Sequence, residues 1–196
     1  MKLLFLDTET TGTEWVKHGV IQIAGIVDID GEVKKEFNFK CRPFKGQLLD
    51  PKAMELHKLT REELATWPDP KEAYQELLKV LDGFVDRYSK EDKFYMVGQN
   101  TKFDYDFMNK FFKLNQNFYF YGYVFYHLID LIQMSCLFRV AGIVNVPNMK
   151  LETMAKYFGI PLEAHKAEND IKATRALFYK YLEMVKGLPK VVAAAS

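Results

Sequence analysis

The first forty residues constrain the fold most tightly. Lys2-Leu3-Leu4-Phe5-Leu6-Asp7-Thr8 is a continuous apolar run closed by a polar end, the pattern of a buried strand. Val20 to Val27 is apolar and β-branched and runs into Asp28-Ile29-Asp30-Gly31, a turn signal; Val33 to Phe39 then alternates. The last two segments read as a hairpin. With the first run they make a three-stranded antiparallel meander.

Helices and strands then alternate. Thr60 precedes Glu63 by three residues, a capping box that opens a short helix. Pro70 opens a longer one, with Ala73, Leu77, Leu78, Leu81 and Val85 at helical spacing. Phe94 to Val97 predicts a fourth strand, Phe103 to Leu114 a helix, Tyr123 to Leu128 a fifth strand and Asp130 to Val140 a helix. Leu151, Met154, Ala155 and Phe158 form another helix, stopped by Gly159 with Pro161 beyond it. A last helix runs from about Lys166 to Lys186. This succession argues an α/β domain with a mixed sheet. No repeat or linker divides the 196 residues, a length suited to one compact domain. Val191 to Ser196 lacks periodicity and reads as a frayed tail or an appended remnant.

Three acidic motifs fall at the ends of these elements. Asp7-Thr8-Glu9-Thr10-Thr11-Gly12 closes the first strand, where residues two apart share a face, so Asp7 and Glu9 project together. Two such carboxylates repel, and a hard divalent cation relieves the conflict. A solvated strand end accounts for the pair equally well. Gly98-Gln99-Asn100-Thr101-Lys102-Phe103-Asp104 spans a strand-to-helix junction. There an acid in the first helical turn is also explained by the helix dipole. His165-Lys166-Ala167-Glu168-Asn169-Asp170 enters the last helix, with Asp170 on the face of the small Ala167. Together the motifs are far more telling than apart. Four carboxylates at one cleft could bind two metal ions about 3.5–4 Å apart, the arrangement for in-line phosphodiester displacement. A nearby imidazole, with a reference pKa near about 6.5, could take a water proton close to neutral pH.

In this order and spacing the motifs resemble those of the DEDDh 3′–5′ exonucleases, a family that includes bacterial proofreading subunits and ribonuclease T. Weaker similarity fills the gaps at Ile21 to Ala24, His57-Lys58-Leu59-Thr60, Asp130-Leu131 and Leu151 to Pro161, so that it covers roughly residues 2–182. The resemblance implies an α/β, ribonuclease H-like fold: a mixed five-stranded sheet flanked by helices, in one exonuclease domain over residues 1–187 followed by a tail, 188–196. It implies that Asp7, Glu9 and Asp170 hold the first of two divalent metal ions and Asp7 with Asp104 the second, Mg²⁺ being usual and Mn²⁺ a substitute. His165 would be the general base. The backbone at Thr8, Thr10, Thr11 and Gly12 and the side chain of Asn100 would contact the terminal nucleotide, with His57 and Phe103 as further substrate-binding residues. The implied activity is release of nucleoside 5′-monophosphates from the 3′ end of single-stranded DNA or RNA. An RNA-trimming enzyme and a catalytically idle binding module are the alternatives, the latter disfavoured because all four acids are present. Beyond nucleic acid, the partner would be a polymerase or a second copy in a homodimer. The short stretch after Gly187 favours a free-standing or small accessory nuclease. Two departures stand out: Gln99 where a histidine is common, and Lys58 where a glycine is common.

Composition agrees. At 48% hydrophobic and 27% charged residues the chain reads as soluble and globular. No stretch approaches the ~20 apolar residues of a membrane span, and the N-terminal apolar run of four residues is too short for a signal peptide. Cys41 and Cys136, far apart and without zinc spacing, suit free thiols in a reducing cytoplasm. A net charge of +1 is low for a protein that coats a duplex but allows one that grips a few terminal nucleotides. Lys102, Lys150, Lys156, Lys166 and Lys172, near the acidic motifs, supply local basicity or are ordinary solvated lysines. Asn117 to His127 holds seven aromatics in eleven residues, either a base-stacking surface or a strand with one buried aromatic face. Alternation would set Phe118 and Phe120 against Tyr119, Tyr121 and Tyr123. Trp15 and His18 follow the first motif, bordering the terminal base or simply packing.

Overall fold

The computed structural model describes residues 1–162 and 167–187. Three long strands open the chain: β1 (Lys2–Thr10), β2 (Val20–Ile29) and β3 (Glu32–Lys40). They pair antiparallel, with the β2–β3 turn at Asp30-Gly31 as the sequence predicts. Three helices follow: α1 (Pro51–His57), α2 (Arg61–Ala65) and α3 (Pro70–Asp82). Then come β4 (Tyr95–Gly98), α4 (Thr101–Leu114), β5 (Ile129–Asp130), α5 (Leu131–Val140), α6 (Leu151–Tyr157) and α7 (Ala167–Lys186). The sheet order is β3-β2-β1-β4-β5, with β4 parallel to both β1 and β5. It is the expected mixed five-stranded sheet between helices.

Strand β1 is central and buried on both faces. Leu4 and Leu6 join Leu77, Leu81, Met108 and Phe112 of α3 and α4 in one core. Leu3 and Phe5 join Leu131, Met154, Leu177, Phe178 and Tyr181 of α5, α6 and α7 in the other. Full burial of each such side chain contributes about 1.5–3 kcal/mol. Phe5 meets Phe178 edge-on at 5.5 Å, which fixes α7 over the middle of β1. Alternation places Asp7 and Glu9 on this same α7 face, one and two steps beyond Phe5. Helix α7 starts close by, at the buried Ala167. Its cover therefore ends where the acids begin.

Three expectations are corrected. Tyr123 to Leu128 is not the fifth strand. Val124 makes only an isolated bridge to Phe94, and the strand is the two-residue Ile129–Asp130. The aromatic segment turns through a 3₁₀ turn at Phe120–Gly122. Phe120 and Tyr123, three apart, are buried while Phe118, Tyr119 and Tyr121 are exposed, so a period of three replaces the expected alternation. Helix α1 was not expected; Asp50 caps it by accepting from the Lys52 N–H, and Pro51 fills its first position. Cys41 and Cys136 are free thiols, and no described helix is long and apolar enough to cross a membrane.

Asp28, fully buried, ties the β2–β3 turn to α7. Its carboxylate accepts from the Gly31 N–H at 2.9 Å, Arg175 Nε at 2.7 Å and the Tyr179 hydroxyl at 2.9 Å. Asp28→Ala leaves three donors without an acceptor and should lower unfolding free energy by roughly 3 kcal/mol in urea titrations.

Candidate active site

The exposed end of the α7 face is a cleft of about 990 Å³. Its floor follows from strand register. Glu9 lies opposite Gln22, and Gln22 opposite Lys40; Asp7 lies opposite Ala24, and Ala24 opposite Asn38. Asp7, Glu9, Gln22, Asn38 and Lys40 all line the cleft. The walls are α1 with the loop after it (Leu56, His57, Lys58), Trp67, and the first turn of α7 (Ala167, Glu168, Asp170). A polar relay joins floor to wall: Gln22 Nε2 donates to Asn38 Oδ1 at 2.8 Å, and Asn38 Nδ2 donates to Glu168 Oε1 at 2.7 Å.

The acids converge on Asp7. Burial first, then the charges of Asp104, Glu9 and Asp170 in that order, hold its carboxyl well above the usual carboxylate range. Asp104 lies beneath the floor at 3% exposure, delivered by the first turn of α4. Its Oδ1 accepts from the Thr8 N–H at 2.9 Å and the Thr8 hydroxyl at 2.7 Å. Burial still pushes Asp104 up to about 7 against those bonds. On the cleft side Glu9 Oε2 lies 3.4 Å from His57 Nδ1, while His57 Nε2 lies 3.0 Å from the Thr10 carbonyl. That arrangement is an ion pair only when the ring carries both protons.

Among the described residues, no three His, Cys, Asp or Glu side chains form a closed metal cage. Asp104 is held by Thr8 and Glu9 faces His57, so the acids stand within electrostatic reach of Asp7 without closing around one point. Like charges brought together need either protons or a cation between them. An all-carboxylate donor set of this kind suits a hard divalent ion such as Mg²⁺ or Mn²⁺.

The remaining expected site residues divide. Thr8 and His57 line the cleft, but Thr10, Thr11, Gly12, Asn100 and Phe103 do not. Thr10 donates to the Gly12 carbonyl, and the fully buried Thr11 donates to the Leu48 carbonyl while accepting from the Gly19 N–H. Gly12 packs so tightly on His18 that an added Cβ would stand 2.5 Å from the ring. Their polar groups build the loop after β1, which also settles His18 as a packing residue. Phe103 packs on Phe107 against the core, with ring centroids 4.7 Å apart and the planes tilted by 46°. Asn100 is exposed, left-handed at φ 64°, and its side chain makes no cap bond although it precedes α4. Its backbone N–H donates to Asp130 Oδ1 at 3.2 Å. Gln99 donates to the Met149 carbonyl at 2.5 Å, binding the end of β4 to the segment before α6. Lys58 sits at φ 56° as the C-cap of α1, a conformation for which glycine is the usual choice. His165 and Lys166 lie outside the described residues.

Of the expected lysines, Lys102, Lys150, Lys156 and Lys172 do not line the cleft. Lys102 pairs with Asp106 and Lys172 with Glu36, while Lys40 and Lys58 line the cleft. Lys58 stood out in the sequence only as a departure from a common glycine, and Lys40, distant in sequence from the acids, was missed. The signal for Lys40 was its register: it ends the strand that pairs with the strand facing Glu9.

Residues 4–178 match the sequence profile of the exonuclease family. Two DNA polymerases III of PolC type, from Thermotoga petrophila and Thermotoga maritima, are 22% and 23% identical over 182 residues, covering 92% of this chain and 12% of each polymerase. Escherichia coli exonuclease I in complex with a dT13 oligonucleotide superposes with a TM-score of 0.73 at 23% identity, over 95% of this chain and 41% of that one. Its zinc-bound complex with single-stranded DNA gives 0.76 at 23% identity, over 94% and 41%. This chain thus spans about an eighth of the polymerases' length and two-fifths of exonuclease I, and the likeness to the latter establishes a ribonuclease H-like fold. With its profile match over nearly the whole length, the chain belongs to the exonuclease family, that of the DEDD-type 3′–5′ exonucleases.

Proposed function

We propose that this protein removes nucleotides from the 3′ end of single-stranded DNA by metal-dependent phosphodiester hydrolysis. The observation that carries this reading is the convergence of Asp104, Glu9 and Asp170 on Asp7 at the foot of an open cleft. Asp7, Glu9, Asp170 and Asp104 would hold two divalent ions. Such ions, when bound, make water a better nucleophile and stabilise the leaving oxygen. The chain itself keeps Asp104 oriented through Thr8 and faces Glu9 with His57. It also limits water access from below, because the opposite face of β1, at Leu4 and Leu6, is packed against α3 and α4.

His165 takes the proton of the attacking water in this reading, supported by its place five residues before Asp170 in the third motif. The products are nucleoside 5′-monophosphates. DNA rather than RNA is favoured because the relatives are named DNA polymerases and exonuclease I is described in complex with a dT13 oligonucleotide. A polymerase is the natural partner, since in the PolC-type relatives the matching segment is part of a polymerase chain. The free thiols suit a cytoplasmic setting.

Digestion of a 5′-labelled and a 3′-labelled oligonucleotide with Mg²⁺ or Mn²⁺ tests this. A descending ladder from the 5′-labelled strand is expected, along with early release of labelled mononucleotide from the other. No metal-dependent shortening of the 5′-labelled strand would refute it. Asp7→Ala should abolish the ladder. Thr8→Val, which removes one charge-assisted hydrogen bond to Asp104, should slow it by roughly 10-fold or more.

Asp104 adds a pH dependence. Its folded value near 7 exceeds the ordinary carboxylate value of 3.8, so between these limits the native state holds a proton that the unfolded chain lacks. In EDTA, stability is therefore highest on the acid side and declines as pH rises through 7. The melting temperature should fall between about pH 4 and about pH 7 and level off above that, and Asp104→Asn should flatten that slope.

A further inference from the structure

The cleft extends past the acids, and its far end has a different chemistry. Lys40 ends β3, two strands from Glu9 along one cross-strand row, which is roughly 10 Å. Its ammonium sits 5.2 Å over the ring of Trp67, which lies between α2 and α3. Both line the same cleft as Asp7 and Glu9. Lys40 has no carboxylate partner among the described residues, whereas Lys172, farther along the same sheet face, is neutralised by Glu36. The backbone holds the two in register: the Arg42 N–H donates to the Pro68 carbonyl at 2.9 Å, the Arg42 guanidinium pairs with Asp69, and the Trp67 N–H donates to the Leu64 carbonyl at 3.1 Å. A half-buried indole and an unneutralised ammonium are thus fixed in an open cleft.

We propose that Lys40 and Trp67 form a nucleotide subsite upstream of the reacting end. Lys40 meets a phosphodiester 5′ to the one that is cut, and Trp67 holds the ammonium in place and offers its ring to the attached base. This deepens the exonuclease reading and rests on it for the direction of the strand. Two strand spacings separate the backbone of Lys40 from that of Glu9, and the ammonium is held over Trp67, so the phosphate at Asp7 and the phosphate at Lys40 are different ones. Neither residue belongs to the acidic motifs. An ammonium held over an indole loses little freedom when it binds an anion, and aromatic rings stack on bases of any sequence. The subsite therefore favours an unpaired strand, whose bases are free to stack.

The test measures binding apart from catalysis. The chain has two tryptophans, Trp15 and Trp67. In a Trp15→Phe background, the emission of Trp67 is followed as a short oligothymidylate is added in EDTA at several salt concentrations. Quenching is expected. Trp67→Ala, measured by anisotropy of labelled oligonucleotide, should weaken binding by about 5- to 150-fold, the span of base–aromatic stacking, and Trp67→Phe should restore most of it. Lys40→Ala should lower the slope of log affinity against log salt by about 0.7, one phosphate contact on a single strand. With Mn²⁺ present, kcat/KM of Lys40→Ala relative to the parent should fall at least about 5-fold further on the oligonucleotide than on the p-nitrophenyl ester of thymidine 5′-monophosphate, which has no upstream phosphate. Oligonucleotide binding with unchanged Trp67 emission and an unchanged salt slope, or an equal loss on both substrates, overturns the subsite. Binding with the expected signatures but no hydrolysis in any divalent ion overturns the exonuclease reading and leaves the subsite standing.

Discussion

Carboxylates gathered around a half-buried carboxylate repel one another, and most of this fold can be understood as the frame that holds them against that repulsion. Asp7 sits one step past Phe5 on a strand packed from both sides. It cannot move away from Asp104 without disturbing two cores. Asp104 is fixed by the start of α4 and by two hydrogen bonds from Thr8. Asp170 arrives on α7, which Phe178 seats on Phe5 and which Arg175 and Tyr179 tie to Asp28. The frame stores an unfavourable arrangement at its surface and compensates with apolar burial beneath it. Proximity of like charges is tolerable when protons or cations come between them, and the raised values of Asp7 and Asp104 express that demand directly.

The cleft has a polarity that follows from the same sheet. Across one row of the floor, Glu9 on β1 gives way to Gln22 on β2 and Lys40 on β3. The charge changes sign within two strand spacings. A chain with a net charge of only +1 can in this way concentrate positive charge where the sheet leaves its face uncovered by α7, without being basic as a whole.

Much of this was legible beforehand, for identifiable reasons. The meander announced itself through a continuous apolar run, a β-branched segment and a turn at Asp30-Gly31. The acidic motifs stood out because each sits where a strand or helix ends. What escaped was set by tertiary contacts. The fifth strand is two residues long and is defined by pairing with β4, so the aromatic run upstream of it made the stronger local signal. Helix α1 has no buried residue and hence no apolar period, though its Asp50-Pro51 start was visible. The side chains of Thr10 and Thr11 serve the loop after β1, and Gly12 packs on His18, which only the tertiary partners Leu48, Gly19 and His18 reveal. Lys40 and Trp67 are far from the acids in sequence, and only strand register brings them alongside.

The central claim is that the acids around Asp7 act as one ligand set for divalent ions. Calorimetric titration of Mn²⁺ into the parent chain and into Asp7→Asn, each at about pH 6 and about pH 8, addresses it most directly. Binding to the parent should be tighter at the higher pH and accompanied by proton release at the lower one, and Asp7→Asn should weaken it by at least about 10-fold. Equal affinity in the two proteins, or binding without any dependence on pH, would contradict the claim.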